Sequence, residues 1–221
     1  TFGGSLKDIP PIDMAAQVVR ESLSRAQTLG ADVGHVVFGH VVNTEPRDMY
    51  LSRAAAVLGG CGEGTPAFNV NRLCGSGLQA IVNAAQSILL GDADIAIGGG
   101  AENMTRAPYA ALSARWGMRM GDAKLTDMMI GALHDPFHNI HMGVTAENIA
   151  KKWGISREDQ DALAVESHHR AERATAAGYF TSQITPVVLK SKKGDTQFAS
   201  DEHFRTGVTM ADMAKLKPAF A

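Results

Sequence analysis

The run Asn71-Arg72-Leu73-Cys74-Gly75-Ser76-Gly77-Leu78-Gln79-Ala80 carries the most specific chemistry in the sequence. A strand pattern ends there and a helical one begins, which sets the Cys74 sulfur beside the first unpaired backbone N–H groups of the helix. Helix N-termini favour the thiolate, the nucleophilic form of cysteine. Gly75 and Gly77 let the main chain pass close to a substrate carbonyl. A lone cysteine is most often a small buried hydrophobe, and Cys61, between Gly60 and Gly62, is read that way. The strand-to-helix setting makes Cys74 the nucleophile.

Two other chemistries compete for these residues. Gly75-x-Gly77-x-x-Ala80 after a strand, with Asp94 downstream, imitates a dinucleotide-binding fingerprint. In that fold the acidic residue closes the second strand, whereas Asp92 and Asp94 precede Ile95-Ala96-Ile97. Pyrophosphate binding also gives no role to a thiol just before the first glycine. His134, His138 and His141 have separations that a zinc site could use. They lie around Pro136 and Gly143 rather than on one helix, no HExxH or paired CxxC accompanies them, and no metal is expected.

The elements that must position Cys74 alternate. Pro10, Pro11 and Asp13 before Met14, Val18, Val19 and Leu23 predict an amphipathic helix over 13–29, stopped at Gly30. Residues 35–39 read as a short buried strand, 47–58 as a helix and 67–71 as a strand. A helix over 77–90 and a third buried strand over 94–97, running into Gly98-Gly99-Gly100, follow. Such alternation predicts βαβ crossovers and a mainly parallel sheet with helices on both faces. From 104 to 140 the texture changes to an excursion with five methionines and no regular βαβ unit. Helices over 143–153 and 156–177 come next, the second opened by Ser156-x-x-Asp159 as a capping box and closed by Gly178. Residues 184–190 and 196–199 read as short strands.

Composition bounds the rest. With 221 residues, 45% hydrophobic, 20% charged and two cysteines, the chain is neither disordered nor a disulfide scaffold. A net charge of −2 without a polybasic run speaks against nucleic acid as partner, and no apolar stretch is long enough for a membrane-spanning helix. Charge is uneven: 6 Lys and Arg stand against 10 Asp and Glu in residues 1–103, but 15 against 13 in residues 104–221. The second part is therefore the one suited to an anion. Free thiols and no evident signal peptide predict the cytoplasm. The ends, Thr1-Phe2-Gly3-Gly4 and Lys217-Pro218-Ala219-Phe220-Ala221, lack an initiator methionine and a tail, so the chain is expected to be a fragment.

Together with Gly98-Gly99-Gly100-Ala101-Glu102-Asn103-Met104 and His141-Met142-Gly143-Val144-Thr145-Ala146-Glu147-Asn148, the Cys74 segment resembles the thiolases over effectively the whole chain. Leu133-His134-Asp135-Pro136-Phe137-His138 is similar in particular to the bacterial β-ketothiolases of polyhydroxyalkanoate synthesis. The resemblance implies an α/β fold: a layered α/β/α half with a mainly helical loop-domain insertion. Residues 1–103 would be the N-terminal α/β domain without its first strand, and 104–221 the loop domain that holds CoA and makes oligomer contacts. The implied activity is acyl-CoA:acetyl-CoA C-acyltransferase, either condensing two acyl-CoAs or cleaving a 3-ketoacyl-CoA by thiolysis. Cys74 would be the acylated nucleophile. His141 and Met142 would line the pantetheine end of CoA, Arg205 would approach its nucleotide end, and Met213 and Phe220 would flank the ligand. CoA and acyl-CoA are then substrates and no cofactor is needed.

The resemblance further implies a cytoplasmic homotetramer in fatty acid or polyhydroxyalkanoate metabolism, with residues 113–130 as a subunit-contact region. The family's activating histidine, its second cysteine and its Asn-Glu-Ala-Phe segment have no match in this sequence. They would belong to a second half after Ala221, without which the piece is expected to be inactive and poorly folded. Two alternatives share the features: a non-catalytic CoA-binding or acyl-carrier-binding half-thiolase, in which Cys74 is incidental, and a ketoacyl synthase-like condensing enzyme, which the loop domain disfavours.

Overall fold

In the computed structural model, which describes residues 1–220, the chain divides into two compact units, Phe2–Ala132 and Leu133–Ala221 with Thr1. Ala221, the last residue of the expected 104–221 division, lies outside the described residues.

The first unit is organised by three parallel strands, β1 (His35–Gly39), β2 (Ala67–Val70) and β3 (Ala96–Gly100), in the order β2-β1-β3. Val37 of the central strand lies opposite Phe68 on one side and Gly98 on the other. Because successive residues of a strand face opposite ways, β1 serves two helical layers. Val36 and Phe38 join the core with Ile12 and Val19 of helix α1 (Pro11–Arg25) and Leu51 and Ala55 of α2 (Leu51–Gly59). Gly39, on the other face, meets helix α3 (Ser76–Leu89), whose buried positions Ser76, Ala80 and Ala84 recur every four residues. The result is an α/β/α layering.

Helix α3 lies on main chain rather than on side chains. A Cβ at Gly39 would sit 2.5 Å from the carbonyl carbon of Ser76, and one at Gly98 would sit 2.8 Å from the Cα of Ile81. This explains two departures from the sequence reading. The third strand begins at Ala96, not 94, and includes Gly98 to Gly100: the missing side chain at Gly98 admits α3, and that at Gly99 leaves room for the Phe38 ring. It is also half-buried where full burial was expected. Residues Pro46–Tyr50 form a separate 3₁₀ turn before α2, not its first turns. The Asp48 carboxylate accepts the N–H groups of Thr44 (2.7 Å) and Glu45 (3.2 Å) and tightens the chain there. After β3 come only a two-residue antiparallel pair, β4 (Tyr109–Ala110) with β5 (Thr126–Asp127), and the short helix α4 (Met128–Ala132).

The second unit holds α5 (Met142–Trp153), α6 (Arg157–Ala176), the antiparallel pair β6 (Val187–Leu189) and β7 (Thr196–Phe198), and α7 (Met210–Met213). The capping box opens α6 as expected: the Ser156 hydroxyl accepts the Asp159 N–H (3.0 Å) and the Asp159 carboxylate accepts the Ser156 N–H (3.2 Å). Gly178, at φ 71°, turns the chain away after it. No described helix is long and apolar enough to cross a membrane.

The α3 contact is testable. Gly98→Ala should cost about 1–3 kcal/mol, the usual penalty for overpacking, read as a lower urea midpoint of unfolding. Gly64→Ala, where an added Cβ meets nothing within 4 Å, should leave the midpoint unchanged.

Candidate active site

Cys74 stands on the turn between β2 and α3, and the turn is held by its neighbours. Leu73 takes the left-handed conformation at φ 47°, which an L side chain adopts at some cost. Three bonds maintain it. The Ser76 hydroxyl donates to the Leu73 carbonyl (2.6 Å) and accepts the Arg72 N–H (2.9 Å), and the Asn71 side chain accepts the Leu73 N–H (3.0 Å). Gly75 caps α3, so the thiol lies one residue before the cap, next to the positive end of the helix. Cys74 is exposed and free. Cys61 is free but buried, and burial pushes its thiol above the ordinary range.

Beside this turn runs a groove of about 390 Å³, lined among others by Val41, Val42, Asn71, Leu73 and Met128. One wall is fixed by Glu102, whose carboxylate accepts the N–H groups of Val41 (2.9 Å) and Val42 (3.1 Å). Asn103 ties the same segment to the start of the chain, donating from its amide to the carbonyls of Leu6 (3.0 Å) and Ile9 (2.8 Å). An exposed thiol at a helix N-terminus beside a mostly apolar groove is suited to attack on an activated acyl carbonyl. Nothing in the sequence motifs around Ser76, Glu102 and Asn103 assigns them these roles. Their signal is modest: polar side chains between the end of a strand and the start of the next element, where a turn must satisfy its own backbone.

Of the residues singled out from the sequence, Cys74 lies in the first unit and His141, Met142, Arg205, Met213 and Phe220 in the second. His141 caps α5, its Nδ1 accepting the Gly143 N–H at 2.9 Å. Its ring stacks on Phe220 at a centroid distance of 4.8 Å and 25° between planes, and meets the edge of His134 at 5.4 Å. Met142 follows, exposed, its N–H bonded to the Leu133 carbonyl (2.8 Å). Arg157 donates to the carbonyls of Met213 and Leu216, both at 3.0 Å, and so fixes the backbone at Met213. Arg205 is exposed, with its N–H bonded to His168. Of the three histidines weighed as zinc ligands, His134 and His141 approach each other while His138 turns to Asp135, its Nδ1 2.8 Å from the carboxylate. The His138 N–H, 2.6 Å from the same oxygen, is the main reason the Asp135 carboxyl lies below its usual range. Among the described residues no three His, Cys, Asp or Glu side chains gather as a metal site.

Over residues 1–221 the sequence matches the family model described as thiolase, N-terminal domain. It is 67% identical over 220 residues to the beta-ketothiolase BktB of Cupriavidus necator, a match covering 100% of this chain and 56% of that protein. Among solved structures, the acetyl-CoA acetyltransferase of Bacillus anthracis aligns with a TM-score of 0.95 at 38% identity, over 100% of this chain and 56% of that one. Human mitochondrial 3-ketoacyl-CoA thiolase in complex with CoA gives 0.93 at 36% identity, over 100% and 55%. The chain thus spans about half the length of these relatives. The layered α/β fold expected from the sequence is the fold of these neighbours.

The two thiols should separate cleanly. With iodoacetamide at neutral pH, Cys74 should alkylate at least about tenfold faster than Cys61, since exposed thiols react and buried ones are inert. Peptide mapping by mass spectrometry reads the ratio, and urea should abolish the difference.

Proposed function

Because this chain belongs to the thiolase family, by its N-terminal domain, we propose that it works as part of an acyl-CoA:acetyl-CoA C-acyltransferase with Cys74 as the acylated nucleophile. The observation that carries the reading is the exposed Cys74 thiol on a braced turn at the start of α3, in a chain 67% identical to a beta-ketothiolase. The Cys74 sulfur attacks the thioester carbonyl of an acyl-CoA. A new carbon–sulfur bond forms, the bond to the CoA sulfur breaks, and CoA leaves and takes up a proton. In condensation the α-carbon of acetyl-CoA, having lost a proton, attacks the acyl carbon to give a 3-ketoacyl-CoA. In thiolysis the acyl-cysteine forms instead when Cys74 attacks the 3-keto carbon of a 3-ketoacyl-CoA, the C2–C3 bond breaks and acetyl-CoA leaves with a proton on its α-carbon; a CoA thiol then attacks the acyl-cysteine to give the shortened acyl-CoA. Either route releases Cys74.

The remaining assignments follow the same reading. His141 and Met142 line the pantetheine, Arg205 meets the nucleotide, and Met213 and Phe220 flank the ligand. The stacking of Phe220 on His141 supports treating these two as one surface. Residues 1–103 act as the nucleophile-bearing domain and 104–221 as the CoA-binding and oligomer-forming one, in keeping with the surplus of Lys and Arg in the latter. The activating base and the second acid/base lie in the part of its relatives' length that this chain does not span. CoA serves as substrate and no further cofactor takes part. A cytoplasmic homotetramer acting in fatty acid or polyhydroxyalkanoate metabolism completes the proposal, and the exposed Trp116, Met118 and Met120 in the 113–130 stretch support the subunit contacts it needs.

Incubation of the full-length gene product with acetyl-CoA, quenched in acid, should leave one acetyl group on the peptide holding Cys74. Cys74→Ser should abolish the label and cut thiolysis of acetoacetyl-CoA by at least about a thousandfold, as loss of a covalent nucleophile does. A CoA-binding module in which Cys74 is incidental would instead bind CoA and take no label.

A further inference from the structure

Helix α6 directs three side chains to one short stretch of backbone, and the proposed function leaves them without a role. His168 Nδ1 accepts the N–H of Arg205 at 3.1 Å, and Glu172 accepts the N–H of Gly207 at 3.1 Å. His169 Nε2 lies 2.8 Å from the carbonyl oxygen of Val208. These partners fix the ring chemistry. A backbone N–H only donates, so His168 Nδ1 is a bare acceptor; a carbonyl only accepts, so His169 Nε2 carries its hydrogen. The stretch is anchored from within as well. Gly207 bends it at φ 65°, Val208 buries its side chain to 6% exposure, and Thr209 starts the capping box of α7. Arg205 alone in this group presents a long cationic side chain to solvent.

We propose that His168, backed by His169 and Glu172, is a positioning residue that fixes the main chain at Arg205 so that its guanidinium meets the phosphates at the nucleotide end of CoA. The inference rests on the reading of Arg205 given above. Its physical basis is entropic: an arginine on an untied loop must lose backbone and rotamer freedom when it closes on a ligand. A main chain already bonded at Arg205, Gly207 and Val208 has lost most of the backbone share in advance. The acceptor at Nδ1 matters more than the ring as such, which distinguishes this role from simple packing.

The test is steady-state thiolysis of acetoacetyl-CoA by the full-length gene product, with CoA or with pantetheine, which lacks the nucleotide, as the accepting thiol. His168→Ala should raise KM for CoA about fivefold, the worth of one main-chain hydrogen bond, with kcat unchanged. The ratio of kcat/KM for CoA to that for pantetheine should fall by the same factor. His168→Asn, whose Oδ1 can accept the same N–H, should restore both. Equal losses with the two thiols, or no recovery with His168→Asn, would overturn the positioning role. Arg205→Ala separates this inference from the reading beneath it. If Arg205→Ala leaves KM for CoA unchanged, the assignment of Arg205 falls and the inference with it. If Arg205→Ala raises KM while His168→Ala does not, only the inference falls.

Discussion

A side chain at Gly39 would have to occupy the space held by the main chain of Ser76 and Gly77, and one at Gly98 the space held by Ala80 and Ile81. Helix α3 therefore approaches the sheet more closely than any helix resting on side chains could. Its buried face is made of Ser76, Ala80 and Ala84, small enough to match that approach. Closeness at this contact fixes the entry to the helix, and the entry fixes Cys74. With β2 ending at Val70 and α3 beginning at Ser76, five residues must reverse from the sheet to the helix. The left-handed Leu73 is the consequence, and its cost is offset by the bonds from Ser76 and Asn71. The thiol on this turn is exposed.

Buried polar groups bind the loops to this frame. The Ser52 hydroxyl donates to the Phe68 carbonyl (2.8 Å) and accepts the Phe38 N–H (3.0 Å), linking α2 to two strands at once. Asn69 accepts the Ser52 N–H and donates to the Asp48 carbonyl. Glu102 and Asn103 then carry the link from the end of β3 to residues 41–42 and 6–9. A buried polar side chain left without partners costs about 1–3 kcal/mol, so Ser52 and Asn103, both buried, specify one arrangement of their loops as well as stabilising it, and the half-buried Asn69 and Glu102 do so more weakly. The groove beside Leu73 has a defined wall for that reason.

Much of the first unit was legible because its periods are simple. Central strand β1 is apolar on both faces, and α1 repeats its apolar residues at helical spacing, so both were readable to within a few residues. Where reading failed, one residue type served two purposes. Glycines at 98 to 100 read as the place where a strand runs out, and only their pairing with β1 shows that they belong to it. The 3₁₀ turn before α2 depends on a carboxylate reaching back to Thr44 and Glu45, which no apolar period records. The place of Cys74 between β2 and α3 was legible because its signal is local, at the junction of two patterns. The stacking of His141 on Phe220 was not, since 79 positions separate them and the chain between carries no pattern that brings them together.

The second unit is ordered by a different balance. Helix α6 runs for 20 residues with none fully buried and with few apolar residues, such as Ala164 and Val165, even half-buried, so an apolar stripe holds it only weakly. Its ion pairs, Arg157 with Asp161 and Glu166 with Arg170 and Arg173, are largely exposed, and exposed pairs contribute little. What remains are bonds from its side chains to the backbone of another segment. Arg157 takes two carbonyls, at Met213 and Leu216, and His168, His169 and Glu172 take Arg205, Val208 and Gly207. The dependence runs mainly one way: a long capped helix has most of its backbone groups satisfied internally, whereas residues 205–216 contain only the four-residue α7. The helix thus acts as a template for a segment that has little structure of its own. A segment held through its backbone keeps the Arg205 side chain available, which is what the proposed contact with the nucleotide requires.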